Sequence, residues 1–198
     1  MKPNLLALLA NGGIISFILI YVYASTLYDG GTKAEPHKKH WDWINNYWCD
    51  LIWPTTYLDL PNKASRWGIL ANSILCLSYI LFFLAFAMTY APTELWTYLI
   101  AISGTIAMIC GMLIFSDLHD KVILIIIISV VPSVIGVVYG LIHFALTVAL
   151  IWGVLALALV LVNVFIFYTK KGEKHLPLIQ KIAYLAVLSW TFFINTTI

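Results

Sequence analysis

The chain has 198 residues, of which 62% are hydrophobic and only 10% charged, with a formal net charge of +2. A soluble domain carries about 25% charged residues, so this composition excludes an ordinary soluble fold. The few basic residues are scattered and give no footing for nucleic acid. The apolar residues also run together. Between Val122 and Tyr168 the only Asp, Glu, Lys, Arg or His is His143. A helix needs about 20 apolar residues to cross the hydrocarbon, so that stretch holds two spans. Backbone exposed to lipid must satisfy its own hydrogen bonds, which makes the spans helices. A barrel would show alternating segments of about ten residues, and the chain has none. The expected fold is therefore all-α: a polytopic transmembrane helical bundle of about six spans, forming one integral membrane domain over residues 1–198.

Near the N-terminus, Lys2, the apolar run from Leu5 and a small-residue site at Ala24 resemble a signal peptide. The run is long for a signal core, and we read 5–24 as the first span. The polar loop 26–66 follows, too short for an independent domain of ordinary size. It carries Trp41, Trp43, Trp48 and Trp53. Asp42, Asn46, Cys49 and Asp50 share one helical face, and Trp41, Ile44, Trp48 and Leu51 share another. The spacing predicts an amphipathic helix over 40–53 lying in the membrane interface, where indole rings are favoured.

The second span is 67–89. A turn at Ala91-Pro92-Thr93-Glu94 leads into the third, 95–115. There Ser103, Ala107 and Gly111 recur every four residues, a stripe that lets helices approach closely. The fourth span is 121–139, with Pro132 expected to kink it and Gly136 to Gly140 expected to end it. The fifth is 143–168, with His143 near its start. The sixth, 177–195, follows a polar loop at Lys170, Lys171, Gly172, Glu173 and Lys174. Asn11, Asn72 and Asn163 lie inside spans, where an amide most simply bonds to a neighbouring helix for about 1 kcal/mol.

The loops after spans one, three and five hold ten of the eleven Lys and Arg, counting Lys181. The positive-inside rule places loops 26–66, 116–121 and 169–177 on one face, in the cytoplasm. The expected localisation is a bacterial inner membrane.

Two polar clusters are candidate sites. Asn46, Asp50 and Asn62 form the first, in which Asp50 could bind a polar head group, bind a cation or act as a base, or the group could simply solvate the face of an interfacial helix. Ser116, Asp117, His119 and Asp120 place two carboxylates and an imidazole within five residues. That set can bind a metal or move protons, so Asp117, His119 and Asp120 are the metal candidates. Equally, Ser116 or Asp117 could cap the fourth span. His37, His40 and His175 sit among lysines and are expected in solvent. Cys49, Cys76 and Cys110 show no paired spacing, and no CxxC, GxSxG, HExxH or phosphate-binding glycine loop occurs.

Tyr28-Asp29-Gly30-Gly31-Thr32, Asn46-Tyr47-Trp48-Cys49-Asp50-Leu51 and Pro61-Asn62 resemble the first-loop pattern of a bacterial six-span membrane family, domain of unknown function 998. Ser116-Asp117-Leu118-His119-Asp120 resembles its second polar signature. Asp29 and Ser116 stand where the family favours proline. The family is similar to a wider FRAG/DRAM-type group that includes proteins of GPI-anchor lipid remodelling and autophagy. The resemblance implies a shared site with Asp50 near His119, though no assigned reaction or cofactor. The leading functional expectation is a protein that holds a lipid or other apolar ligand at one membrane face, with membrane lipids as its partners. Asn46, Asp50, Asn62, Asp117, His119 and Asp120 are the ligand-binding candidates. The alternatives are a metal-dependent membrane hydrolase or acyl-transfer enzyme, and a structural subunit or transporter component.

Overall fold

The structure, a computed structural model, describes residues 4–114 and 119–198, and of His119 and Asp120 it describes the backbone alone. Most of the described residues are helical, and none lies in a named strand. Six of the helices are long and apolar enough to cross a membrane: α1 (Leu5–Thr26), α2 (Ser65–Tyr90), α3 (Glu94–Gly111), α4 (His119–His143), α5 (Thr147–Thr169) and α6 (Leu176–Asn195). Helices α1, α2 and α5 are apolar on every side rather than along one stripe, as a lipid-embedded helix is. Helix α6 differs. It buries the polar side chains of Lys181, Thr191 and Asn195 together with the apolar ones of Ala183, Leu188, Trp190 and Ile194.

The chain forms two compact units. One comprises the chain up to Phe17, Asn72–Gly153 and Trp190–Ile198. Its core gathers Ala10, Phe82, Phe83, Phe86, Ile100, Val137, Leu141, Trp190 and Ile194. The small-residue stripe of α3 packs as expected. Ala107 is fully buried, and the hydroxyls of Ser103 and Ser133 meet between α3 and α4. The intramembrane amides also bond between helices: Asn11 Nδ2 donates to Phe192 O at 3.2 Å, and Asn72 Nδ2 to Gly111 O at 3.0 Å.

The break expected at Gly136 to Gly140 is not there. Helix α4 runs through Pro132 and both glycines to His143. A Cβ on Gly136 would lie 2.5 Å from Ile100, and one on Gly140 would lie 2.5 Å from the Tyr90 carbonyl oxygen. These glycines admit neighbouring helices at close range and do not turn the chain. The turn falls at Ala145, whose φ is +53°. His143 therefore ends α4 instead of starting the fifth span, and its exposed ring packs edge-on against Phe144 at 5.0 Å.

The other unit comprises Ile18–Ala71 and Val154–Ser189. In it Asn163 Nδ2 donates to Ile179 O at 3.3 Å, joining α5 to α6. Its remaining mass is the first loop. The amphipathic helix expected over 40–53 is absent. Residues 43–46 form turns, and only Trp48–Leu51 coils, as a short 3₁₀ helix. The cause is side-chain competition for backbone donors. The Asp42 carboxylate takes the N–H groups of Ile44 and Asn45, and Asn46 Oδ1 takes the N–H of Asp42.

Candidate functional site

The first loop folds around one carboxylate. Two glycines start it. Gly30 and Gly31 have φ of +134° and +87°, a region that side chains with a Cβ avoid, and a Cβ on Gly31 would lie 2.6 Å from both Pro36 O and Tyr57 Cβ. The Gly31 N–H donates to Lys38 O at 2.6 Å, and Thr32 closes a tight turn by exchanging bonds with Glu35. The chain thus doubles back, carrying Asn46, which is fully buried, against Gly31 O at 2.8 Å.

Asp50 lies at the centre and is only 4% exposed. Its Oδ2 accepts from Asn46 Nδ2 at 2.9 Å and from the Tyr47 N–H at 2.8 Å, while Oδ1 accepts from the Tyr57 hydroxyl at 3.1 Å. Burial pushes the Asp50 carboxyl above the usual carboxylate range. The bonds from Asn46, Tyr47 and Tyr57 and the charge of Lys181 pull the other way without cancelling it. Burial and the adjacent Asp50 charge raise the Tyr57 hydroxyl, which keeps it a donor. Asp42 is the opposite case. Burial disfavours its charge, yet bonds from Lys38, Asn45 and two backbone N–H groups hold it well below the usual range.

Asn62 ties the loop's far end to this centre. Its Nδ2 donates to Asp50 O at 3.0 Å and to Trp53 O at 2.8 Å, and its Oδ1 accepts the Ala64 N–H. Ser65 Oγ adds a bond to Ile52 O at 2.8 Å. Asn46, Asp50 and Asn62 are thus brought together, as their residue types suggested. Their polar groups are used inside the loop, as the struts that hold it.

Residues beyond those candidates complete the arrangement. Lys181 of α6 is 5% exposed; its Nζ donates to Asn46 O and, at 3.1 Å, to Pro177 O. Asn46 therefore links Lys181 to Asp50 through its backbone carbonyl on one side and its amide on the other. The Trp48 N–H donates to Gln180 Oε1 at 2.9 Å, and the Trp48 indole is stacked between Tyr21, at 4.1 Å, and Tyr184, at 5.2 Å. The sequence held a signal for Lys181. A lysine within an apolar span is costly unless it faces a partner.

Where α2 begins, the loop leaves an open cleft of about 340 Å³, lined by Pro61, Asn62, Lys63, Arg66 and Trp67. Lys63 pairs with Asp29 at 2.6 Å. Arg66 is exposed and has no acidic partner among the described residues. Trp67 packs edge-on against Tyr23 of α1 at 5.1 Å.

Asp117 lies outside the described residues, as do the side chains of His119 and Asp120. Among the described residues no three of His, Cys, Asp and Glu converge to hold a metal ion. His37, His40 and His175 are exposed, and Cys49, Cys76 and Cys110 form no disulfide with one another. No family model matches the chain, and neither does any curated protein or solved structure.

Proposed function

We propose that this integral membrane protein handles a lipid at one membrane face, through the surface that its folded first loop builds beside α1, α2 and α6. The carrying observation is the cleft at the loop's junction with α2, where two cationic side chains, an amide and an indole converge. A linker between two spans has no need of a buried carboxylate with three donors. Asn62, bonded to the backbone carbonyls of Asp50 and Trp53, ties one wall of the cleft to the segment that carries that carboxylate. We further propose the bacterial inner membrane as its place and the cytoplasm as the side of this loop, on the distribution of Lys and Arg. Membership of the family called domain of unknown function 998 is also a proposal, resting on the motifs at Tyr28–Thr32, Asn46–Leu51 and Pro61-Asn62.

The test is native mass spectrometry of the gently purified full chain, with the retained lipid compared with the bulk membrane. Enrichment of one lipid class at fixed stoichiometry supports the reading. A retained population that mirrors the bulk membrane overturns it.

A further inference from the structure

We propose that the cleft lined by Pro61, Asn62, Lys63, Arg66 and Trp67 binds the phosphate group of an anionic phospholipid, with Arg66 as the principal recognition residue and Lys63 as its second cation. This deepens the lipid-handling reading and rests on it.

Three observations lead to it. The first is charge. Lys63 and Arg66 bring two positive groups to the cleft, and Asp29 answers only Lys63. Arg66 has no acidic partner among the described residues, so its guanidinium presents a planar fork of donors that matches two oxygens of a phosphate. The second is depth. Helix α2 has 26 residues, about 39 Å at roughly 1.5 Å per residue, which exceeds a hydrocarbon core of about 30 Å. Its first turn can therefore stand among head groups. Tyr23 near the end of α1 and Trp67 near the start of α2 pack together at 5.1 Å, and such aromatic belts mark that level. The third is rigidity. Every polar atom of the Asn62 side chain is bonded to backbone, so the wall facing the cations is fixed before a ligand arrives, which lowers the cost of ordering on binding. The Trp67 ring offers an apolar face to the glycerol and upper acyl carbons.

The full chain is placed in nanodiscs of phosphatidylglycerol and phosphatidylcholine in equal parts, and the lipid retained is counted by native mass spectrometry. We expect one phosphatidylglycerol to be retained in preference to phosphatidylcholine. Its occupancy should fall at least tenfold in Arg66→Gln, fall about threefold in Lys63→Gln, and stay unchanged in Lys171→Gln, an exposed lysine outside the cleft. Arg66→Lys should restore part of it. Oleate, an anion without phosphate, should not displace the lipid, nor should millimolar inorganic phosphate or glycerol 3-phosphate. Arg66 is exposed, so its replacement leaves the fold in place, and an unchanged melting temperature verifies this. If the lipid survives Arg66→Gln at full occupancy, the cleft is not its site and this inference fails, while lipid handling stands. Displacement by soluble phosphate would assign the cleft to a free phosphate and overturn the lipid source. Displacement by oleate would overturn phosphate recognition. If the wild-type chain retains no lipid above the bulk ratio, the lipid-handling reading falls with it.

Discussion

At the scale of single residues, the first loop depends on Asp50 as an acceptor. Asp50→Ala leaves the Tyr47 N–H, the Tyr57 hydroxyl and one amide hydrogen of Asn46 without acceptors. Tyr57 is exposed and its hydroxyl can turn to water, while each of the other two donors left bare costs about 1–3 kcal/mol. Unfolding followed through tryptophan fluorescence should show a loss of at least that size, and Tyr57→Phe a smaller one of about 1 kcal/mol. A loss below about 0.5 kcal/mol in Asp50→Ala, the range of ordinary surface changes, would mean the network does not hold the loop. The pH dependence has a definite sign. The folded Asp50 carboxyl is raised above its ordinary 3.8, so the folded state holds its proton longer than the unfolded chain does. The stability it contributes is complete below 3.8 and is lost as pH rises through the folded value. Asp42 is held low, so its contribution is present above 3.8 and is lost as pH falls. Subtracting the Asp50→Asn profile from the wild-type profile isolates the first effect. A difference that grows more favourable to the wild type as pH rises would contradict that sign. The sequence grouped Asn46 and Asp50 on one face of an expected helix; that helix is absent, and the two meet through the Asn46 amide inside the folded loop. Their use as internal struts was not legible, because the donors that saturate Asp50 include Tyr57 and a backbone N–H. The link to Lys181 joins residues 135 apart in the chain, beyond the reach of any local pattern.

At the scale of elements, the spans were readable because lipid leaves the backbone no other partner, so an apolar run of sufficient length determines its own structure. Water imposes no such rule on loop 26–66. Its helical spacing of polar residues was real, but Asp42 and Asn46 use their side chains on nearby backbone donors and divert the chain into turns. Glycine misleads in the same way. Gly136 and Gly140 look like a helix end, yet they sit where α4 meets Ile100 and Tyr90. A contrast between glycines tests this view of close approach. A Cβ on Gly68 would lie 2.4 Å from the Leu51 carbonyl oxygen, whereas Gly12 has nothing within 4 Å. Gly68→Ala should therefore separate α2 from the 3₁₀ helix and destabilise by about 1–3 kcal/mol, as overpacking does. Gly12→Ala should be neutral or stabilise by up to about 1 kcal/mol through helix propensity. Within the unit that also holds Gly12, Gly136→Leu should impair α4 against Ile100 at a cost of about 1–3 kcal/mol. Thermal melts of the three variants in one detergent compare them directly, and equal melting temperatures for Gly68→Ala and Gly12→Ala would refute the packing assigned to Gly68.

At the scale of the whole molecule, charge and span number together predict a topology. With six spans, the loops after α1, α3 and α5 share one face, and the α2–α3 and α4–α5 turns share the other. The basic residues fall almost wholly in the first set, ten of eleven. The cost of moving lysine and arginine across a bilayer favours holding that set in the cytoplasm. Lys33 and Glu173 meet at 2.7 Å, joining the first loop to the α5–α6 loop. An exposed pair of this kind adds little stability, but it requires both loops to lie on the same side, which an odd number of spans between them would forbid. Single cysteines resolve the arrangement once Cys49, Cys76 and Cys110 are replaced by alanine. Lys39→Cys and Lys171→Cys should resist a membrane-impermeant maleimide in intact spheroplasts and react after permeabilisation. Thr93→Cys and Thr147→Cys should react in intact spheroplasts. If Lys39→Cys and Lys171→Cys react without permeabilisation while the other two do not, the six-span reading holds and the orientation is reversed. If Lys39→Cys and Thr93→Cys react alike, then α2 does not separate them, and the span assignment itself fails. The cleft at residues 61–67 shares the side of Lys39, so the same labelling decides which leaflet supplies the phosphate that Arg66 would bind.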